Sequence, residues 1–313
     1  MSVLSLNQSG YIQSNNISES DEQFVDASHL AKPCLCPLFI AKIIGLIKDF
    51  LFTVGTFFSR FEHMANYGKV IWNGPGEKKG IVVLIHGLNA SPSQMDGHAE
   101  AFKEQYGRQV MIYQVQVEKK GNCSKAAAVK PITEKVLSIL RENPQMKLYA
   151  HGISNGGRLA SQLAIDLLKK GVASNRMMVN SNSAPLYGTK VMCDPTSHPI
   201  KQKVWKAVVQ SCLAGRHCEE IYRDFTWGSK SGKQMIQDIR NAAAQGVRFE
   251  FDGGFADSKV TPPSFFPKDV FGAAYHTPSS IQGHSSIIGN LRANQVASAA
   301  QFLGLSSSIQ SSQ

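Results

Sequence analysis

The sequence predicts an α/β fold with a mostly parallel central sheet, helices on both faces and an inserted cap or lid. Three observations carry this expectation. From about residue 64, short apolar runs alternate with longer segments of helical period. Ile81-Val82-Val83-Leu84-Ile85 is apolar without interruption, as a strand covered on both faces must be. Gly152-Ile153-Ser154-Asn155-Gly156 stands between a strand-like run, Met146 to Ala150, and a helix-like run, Asn155 to Lys170. At 313 residues, 42% hydrophobic and 18% charged, the chain is long enough to bury one large core or two small ones.

Residues 1–36 are rich in Ser, Asn and Gln and net acidic, so they are expected to be a disordered polar leader. They lack the basic start, apolar run and small-residue cleavage site of a conventional signal peptide. Their composition resembles the uncleaved export signals of bacterial effectors. The expected location is therefore cytoplasmic or peripheral to a membrane, with non-classical export left open.

Residues 37–63 read as an amphipathic hydrophobic helix. Over 37–61, Lys42, Gly45, Asp49, Thr53, Thr56 and Arg60 fall on one face, and nearly all the rest is apolar. Lys42, Lys48 and Asp49 interrupt a run otherwise long enough to span a bilayer. Docking to a membrane surface or a partner, packing on the domain, a dimer contact and a true transmembrane span are the alternatives. Cys34 and Cys36 are candidate lipidation sites beside it.

The main domain is expected over 64–303. An early strand is read at Lys69 to Trp72, then strands at Ile81 to Ile85, Gln109 to Val115, Met177 to Val179 and Val247 to Phe251. Ser91-Pro92 is a helix start, and Pro131 opens a helix that Asn143-Pro144 closes. A cap insertion is read at about 187–227. Its large apolar residues are Val204, Trp205, Val208, Val209, Leu213 and Trp227. Residues 304–313 form a disordered tail.

The net charge is +10 and the pI about 9.3. The basic excess is spread over 37–240 rather than packed into a tail, which favours anionic membranes or acidic ligands. There is no basic stripe with a nucleic-acid reading motif, so nucleic acid is not an expected partner. The six cysteines match no zinc spacing. Cys212 and Cys218 are close enough in sequence to bridge in an oxidising compartment.

The chemistry centres on Ser154. A hydroxyl is a poor nucleophile until a base takes its proton and a turn presents its oxygen. In G-x-S-x-G, Gly152 and Gly156 allow a strand to double back into a helix where a Cβ would collide. Three further places stand out. His86-Gly87-Leu88-Asn89 follows the apolar strand. Phe249-Glu250-Phe251-Asp252-Gly253-Gly254-Phe255-Ala256-Asp257-Ser258-Lys259-Val260-Thr261-Pro262 runs a strand into a glycine turn and an aspartate. Gly283-His284-Ser285-Ser286-Ile287-Ile288-Gly289 precedes a last helix ending near Leu303.

This order of parts resembles the α/β-hydrolase superfamily, nearest its lipase and esterase members, over about 64–303. The resemblance implies a catalytic triad of Ser154, Asp257 and His284, in the chain order of that superfamily. It implies an oxyanion hole made by the backbone N–H groups of Leu88 and Asn155. Asp252 remains the alternative acid and His276 the alternative base. Thr261 to Gln282 is rich in proline and serine, so the strand between acid and histidine is expected to be short, at Gly272 to His276. The implied activity is hydrolysis of carboxylic esters of lipid or acyl substrates through an acyl-serine. A thioesterase or acyltransferase on the same triad, and a membrane-bound scaffold without catalysis, are the alternatives. No metal or organic cofactor is implied. The expected partners are a small-molecule ester or lipid and a membrane surface through residues 37–61; oligomeric state is left open.

Overall fold

The computed structural model describes residues 12–13, 40–41, 43–48, 51, 70–189, 219–254, 257, 259–260, 262–277 and 282–306. Eight strands form one sheet: β1 (Ile12–Gln13), β2 (Val70–Trp72), β3 (Gly80–Ile85), β4 (Val110–Val115), β5 (Lys147–Ile153), β6 (Met177–Asn182), β7 (Arg248–Asp252) and β8 (Ala274–His276). Their order is β1-β8-β7-β6-β5-β3-β4-β2. The six strands from β3 to β8 are mutually parallel. β1 and β2 close the two edges antiparallel. Ile12 and Gln13 of the leader are thus paired with Tyr275 and Ala274.

Strand alternation divides the core into two layers. Ile81, Val83 and Ile85 of β3 face helices α2 (Lys125–Glu142), α3 (Asn155–Lys169) and α5 (Lys230–Ala244). Val82 and Leu84 face α1 (Asp96–Tyr106) and α8 (Arg292–Leu303). Three short helices, α4 (Glu219–Phe225), α6 (Pro262–Phe265) and α7 (Ile287–Asn290), lie in the connections. Helices on both faces let β3 be apolar at every position, since neither side meets water.

β5 runs three residues past the expected Ala150, to Ile153, and two further boundaries differ from the sequence reading for reasons visible in the contacts. Pro131 does not open α2 but lies inside it. The helix starts six residues earlier, at Lys125, because Ser124 Oγ accepts from Ala127 N at 3.2 Å and caps it. The buried stripe Ala128, Val129, Ile132, Val136 and Leu140 then outweighs the one backbone bond that proline cannot make. β6 runs on to Asn182, because Asn180, Ser181 and Asn182 pair with β5 and β7 on either side. The last strand, β8, is as short as expected.

The described residues between 40 and 51 are helical. Ala41 and Gly45 are buried there, while Ile40, Ile43, Leu46, Ile47 and Leu51 are exposed. No helix among the described residues is long and apolar enough to cross a membrane. Most of the cap expected at 187–227, the cysteine pair 212 and 218, Cys34, Cys36 and the tail beyond 306 lie outside the described residues.

Candidate active site

Ser154 joins β5 to α3 with φ 54° and ψ −124°, a conformation that costs a residue with a Cβ roughly 1–3 kcal/mol. The surrounding contacts hold it there. A Cβ on Gly156 would lie 2.1 Å from the Ile85 carbonyl oxygen, and one on Gly152 would lie 2.2 Å from the Gly156 carbonyl. Neither position admits any other residue while strand and helix pack this closely. Ser154 N donates to Asn182 O at 2.8 Å, so β6 anchors the turn. The result is a half-buried serine raised at the carboxyl end of a central strand.

The loop after β3 brings Leu88 to the same edge. His86 secures it: Val117 N donates to His86 Nε2 at 3.2 Å, which leaves the proton on Nδ1 to donate to Gly87 O at 2.8 Å. Burial holds the His86 pKa down at about 4, so the ring stays neutral in this bridging tautomer. Gln94 Oε1 accepts from Gly87 N at 2.8 Å. Among the described residues, the N–H groups of Leu88 and Asn155 have no hydrogen-bond acceptor. Asn155 is the first residue of α3, where the helix dipole adds to the pull on a negative charge.

Asp257 lies beyond β7 and His284 beyond β8. Asp257 Oδ1 accepts from Lys259 N and Val260 N, both at 2.8 Å. Its Oδ2 accepts from His284 Nδ1 at 2.7 Å. That bond puts the neutral ring's lone pair on Nε2. The two loops are in close contact, since a Cβ on Gly254 would meet Gln282 O at 2.9 Å. A strained serine, two open main-chain donors and an oriented carboxylate–histidine pair follow β5, β3, β7 and β8 at the carboxyl edge of one parallel sheet. The chain has an α/β-hydrolase fold.

No protein-family model matches the sequence, and no curated protein is similar to it. Solved structures are similar in fold. A metagenome-derived lipolytic enzyme is 12% identical, with a TM-score of 0.48 over 74% of this chain and 95% of its own. A lipase of Bacillus licheniformis in mature form is 14% identical, with a TM-score of 0.48 over 75% and 96%. The type II thioesterase BorB of the borrelidin biosynthetic cluster is 14% identical, with a TM-score of 0.45 over 75% and 96%. These are likenesses of fold, and any chemistry assigned to this α/β-hydrolase fold rests on its own residues.

Of the expected site residues, Asp257 and His284 are brought into direct contact. Ser154 is at the same edge, but its hydroxyl makes no hydrogen bond among the described residues. The alternative residues also find each other: His276 Nδ1 donates to Asp252 Oδ1 at 2.7 Å. This second pair is on the opposite face of the sheet from the α3 layer. Asn180 Nδ2 and Gln295 Nε2 donate to Asp252 Oδ2. His151 Nδ1 and Asn180 Oδ1 are 2.7 Å apart, and the His98 and His151 rings stack at 4.5 Å. Burial opposes the Asp252 charge, but the His276 cation and these hydrogen bonds together hold its pKa below the ordinary carboxylate value. Burial pulls His276 down, yet the Asp252 and Glu250 charges raise it. Burial holds His151 at about 4 and keeps His98 well below the usual imidazole value, the neighbouring His151 adding to the latter.

Sequence reading did not single out His86 as a loop anchor, Gln94, or the band His98, His151, Asn180 and Glu250 that surrounds Asp252. The alternation Phe249-Glu250-Phe251-Asp252 carried a signal, because it assigns two carboxylates to one face of a buried strand. Among the described residues, no group of three or more His, Cys, Asp or Glu is arranged to hold a metal ion.

Proposed function

We propose that the protein is a serine hydrolase that cleaves carboxylic esters of lipid or acyl substrates through an acyl-serine intermediate. The observation that carries this reading is the strained Ser154 at the edge where His284 is held by Asp257. Ser154 Oγ attacks the ester carbonyl carbon and gives its proton to His284 Nε2. Asp257 fixes the ring with Nδ1–H inward and stabilises the imidazolium. The carbonyl oxygen, now an oxyanion, is received by the N–H groups of Leu88 and Asn155. Loss of one such donor typically costs about 3 kcal/mol of transition-state stabilisation. The tetrahedral intermediate expels the alkoxide, which takes the proton from His284. Water then attacks the acyl-serine, with His284 again base and then acid, and the carboxylic acid leaves. The serine–histidine hydrogen bond forms as substrate settles, since such bonds are often long before substrate binds.

Hydrolysis of p-nitrophenyl esters from acetyl to palmitoyl, by wild type and Ser154→Ala, tests this. Turnover that disappears in the mutant supports the reading, and the best chain length bounds the pocket. Equal rates in both proteins remove Ser154 as nucleophile. Labelling by a fluorophosphonate at Ser154 separates a hydrolase from a scaffold, which has no reason to keep an activated hydroxyl.

The exposed Ile40, Ile43, Leu46, Ile47 and Leu51 favour docking to a membrane surface by the segment 37–61. Flotation with liposomes should then be lost when Ile43 and Ile47 are both replaced by Ser. Retained flotation would remove this segment as the anchor.

A further inference from the structure

Among the described residues Arg158 is one of the largest fully buried side chains, 1% exposed, and it stands on α3 four residues after Ser154. Its Nε and Nη2 have no hydrogen-bond partner. Among the described residues no carboxylate pairs with it. Asp224 attracts it only at longer range, and Lys125 at the start of α2 repels it. The Phe225 ring lies against it, its centroid 4.6 Å from the guanidinium carbon. Burial brings its pKa down to about 10, Asp224 acting the other way, so it is charged at neutral pH.

A buried, unpaired guanidinium is a poor structural element. A hydrophobic side chain of similar volume in its place is often neutral or stabilising. The two open nitrogens are not scattered. Nε–H and Nη2–H share one edge of the guanidinium plane and form the fork that grips two oxygens of one carboxylate or phosphate. The location is also specific. Phe225 clusters with Ile221 and with Leu88, whose N–H faces the place of the oxyanion. The Arg158 backbone therefore follows Ser154 by about one helical turn, ~6 Å along α3, and the ring against its guanidinium packs with the oxyanion loop.

We propose that Arg158 is an anion-recognition residue of the active site, and that the preferred substrate carries a carboxylate or phosphate group which the Nε/Nη2 edge binds. This deepens the ester-hydrolase reading and rests on it. The anion replaces the missing partner and neutralises a positive cluster that Lys125 makes worse. Phe225 on α4 covers the guanidinium, so the substrate enters by displacing that ring. The same fork suits a dicarboxylic acyl chain and a phosphorylated alcohol, and two substrate pairs separate these sources.

The test compares kcat/KM for mono(p-nitrophenyl) glutarate against p-nitrophenyl butyrate, and for a lysophosphatidate against the monoacylglycerol of the same chain. Wild type is expected to favour the anionic member of at least one pair. In Arg158→Met that anionic-to-neutral ratio should fall about 10- to 100-fold, the loss of a charge-assisted bidentate contact. Arg158→Lys should restore part of it. The ratio is independent of how much mutant folds, so a merely structural Arg158 would lower both rates by one factor and leave it unchanged. An unchanged ratio, or a wild type that favours neither anion, overturns the proposal. Should wild type turn over none of these esters, the hydrolase reading fails and binding decides. Glutarate or inorganic phosphate would then have to raise the thermal midpoint of wild type and not of Arg158→Met. Absence of that rise overturns the anion site.

Discussion

Among the described residues stand two Asp–His pairs that their contacts alone would not tell apart. Asp257–His284 and Asp252–His276 are both buried, both join an aspartate oxygen to Nδ1, and both do so at 2.7 Å. Their surroundings differ. Asp257 sits on a loop beyond β7, its other oxygen held by two backbone N–H groups of that loop. Asp252 is still within β7, opposite Asn182 and His276 in the sheet, and its other oxygen is held by side chains of β6 and α8. A carboxylate past the strand end reaches the edge where Ser154 stands. A carboxylate inside the strand is turned by the pleat into the layer under α1 and α8. Five residues of chain therefore separate a proposed catalytic pair from a structural one.

Exchanging the roles by mutation is the strongest way to break this comparison. His284→Ala should lower ester hydrolysis about 10⁴-fold or more while the unfolding midpoint stays close to wild type. His276→Ala should do the reverse, with activity per folded molecule largely kept and the midpoint lowered. The opposite pattern in a side-by-side rate and urea-unfolding measurement would make His276 the base. Asp252→Asn sharpens the same contrast. Removing one charge of a buried, hydrogen-bonded pair typically costs about 3–5 kcal/mol, and that loss should appear in stability. Asp257→Asn should instead lower kcat by ~10⁴-fold through the wrong His284 tautomer.

Acid should act on the layer beneath the sheet before it acts on the fold as a whole. His151 is held near 4 in the folded chain and returns to about 6.5 when unfolded. The unfolded state then binds more protons below pH 6.5, so stability falls as pH drops from 6.5 towards 4, by roughly 3 kcal/mol for this one group. His86 and His98, also lowered, act in the same direction. His276 acts oppositely: its raised pKa contributes stability fully present below about 6.5 and lost as pH rises through its folded value. Asp252, held low, contributes stability above its ordinary pKa that is lost only as pH falls through its lower folded value. With three lowered rings against one raised, urea midpoints at pH 7.5, 6 and 5 should decline steadily. His151→Gln should make the decline shallower, and an unchanged slope would remove His151 as its source.

How far the sequence disclosed this follows from the reach of each signal. The tight turn from β5 to α3 was legible because Gly152, Ser154 and Gly156 are neighbours in the chain and such a turn needs small residues at fixed spacing. β3 was legible because burial on both faces leaves one composition. The Asp257–His284 contact was not derivable from spacing alone, since it joins loops 27 residues apart through the register of β7 and β8. It entered as a resemblance, with Asp252 and His276 as equals in residue type. The polar layer was hidden because, apart from Glu250 and Asp252 on β7, its residues lie on different strands and helices, and one strand's alternation does not reveal what the neighbouring strand places beside it. Arg158 reads in sequence as an ordinary charged residue of an amphipathic helix; only the packing of α4 shows that it is buried.

The smallest effect concerns the loop that presents Leu88. His86 and Gln94 hold Gly87 from two sides, one at its carbonyl and one at its N–H. Neither touches the reacting atoms, so each acts by placing the Leu88 N–H. Gln94→Ala removes one neutral hydrogen bond, worth about 1 kcal/mol, and should reduce kcat by about fivefold with KM little changed. Gln94→Glu keeps the acceptor for Gly87 N and should recover most of the rate. A loss in KM rather than kcat would place Gln94 in substrate binding and leave the loop to His86 and its backbone bonds, Asn89 N to Lys120 O and Ala90 N to Gly87 O. His86 is also the better anchor on physical grounds: it ties β3 to Val117 beyond β4, two parallel strands whose ends cannot shift without moving the sheet.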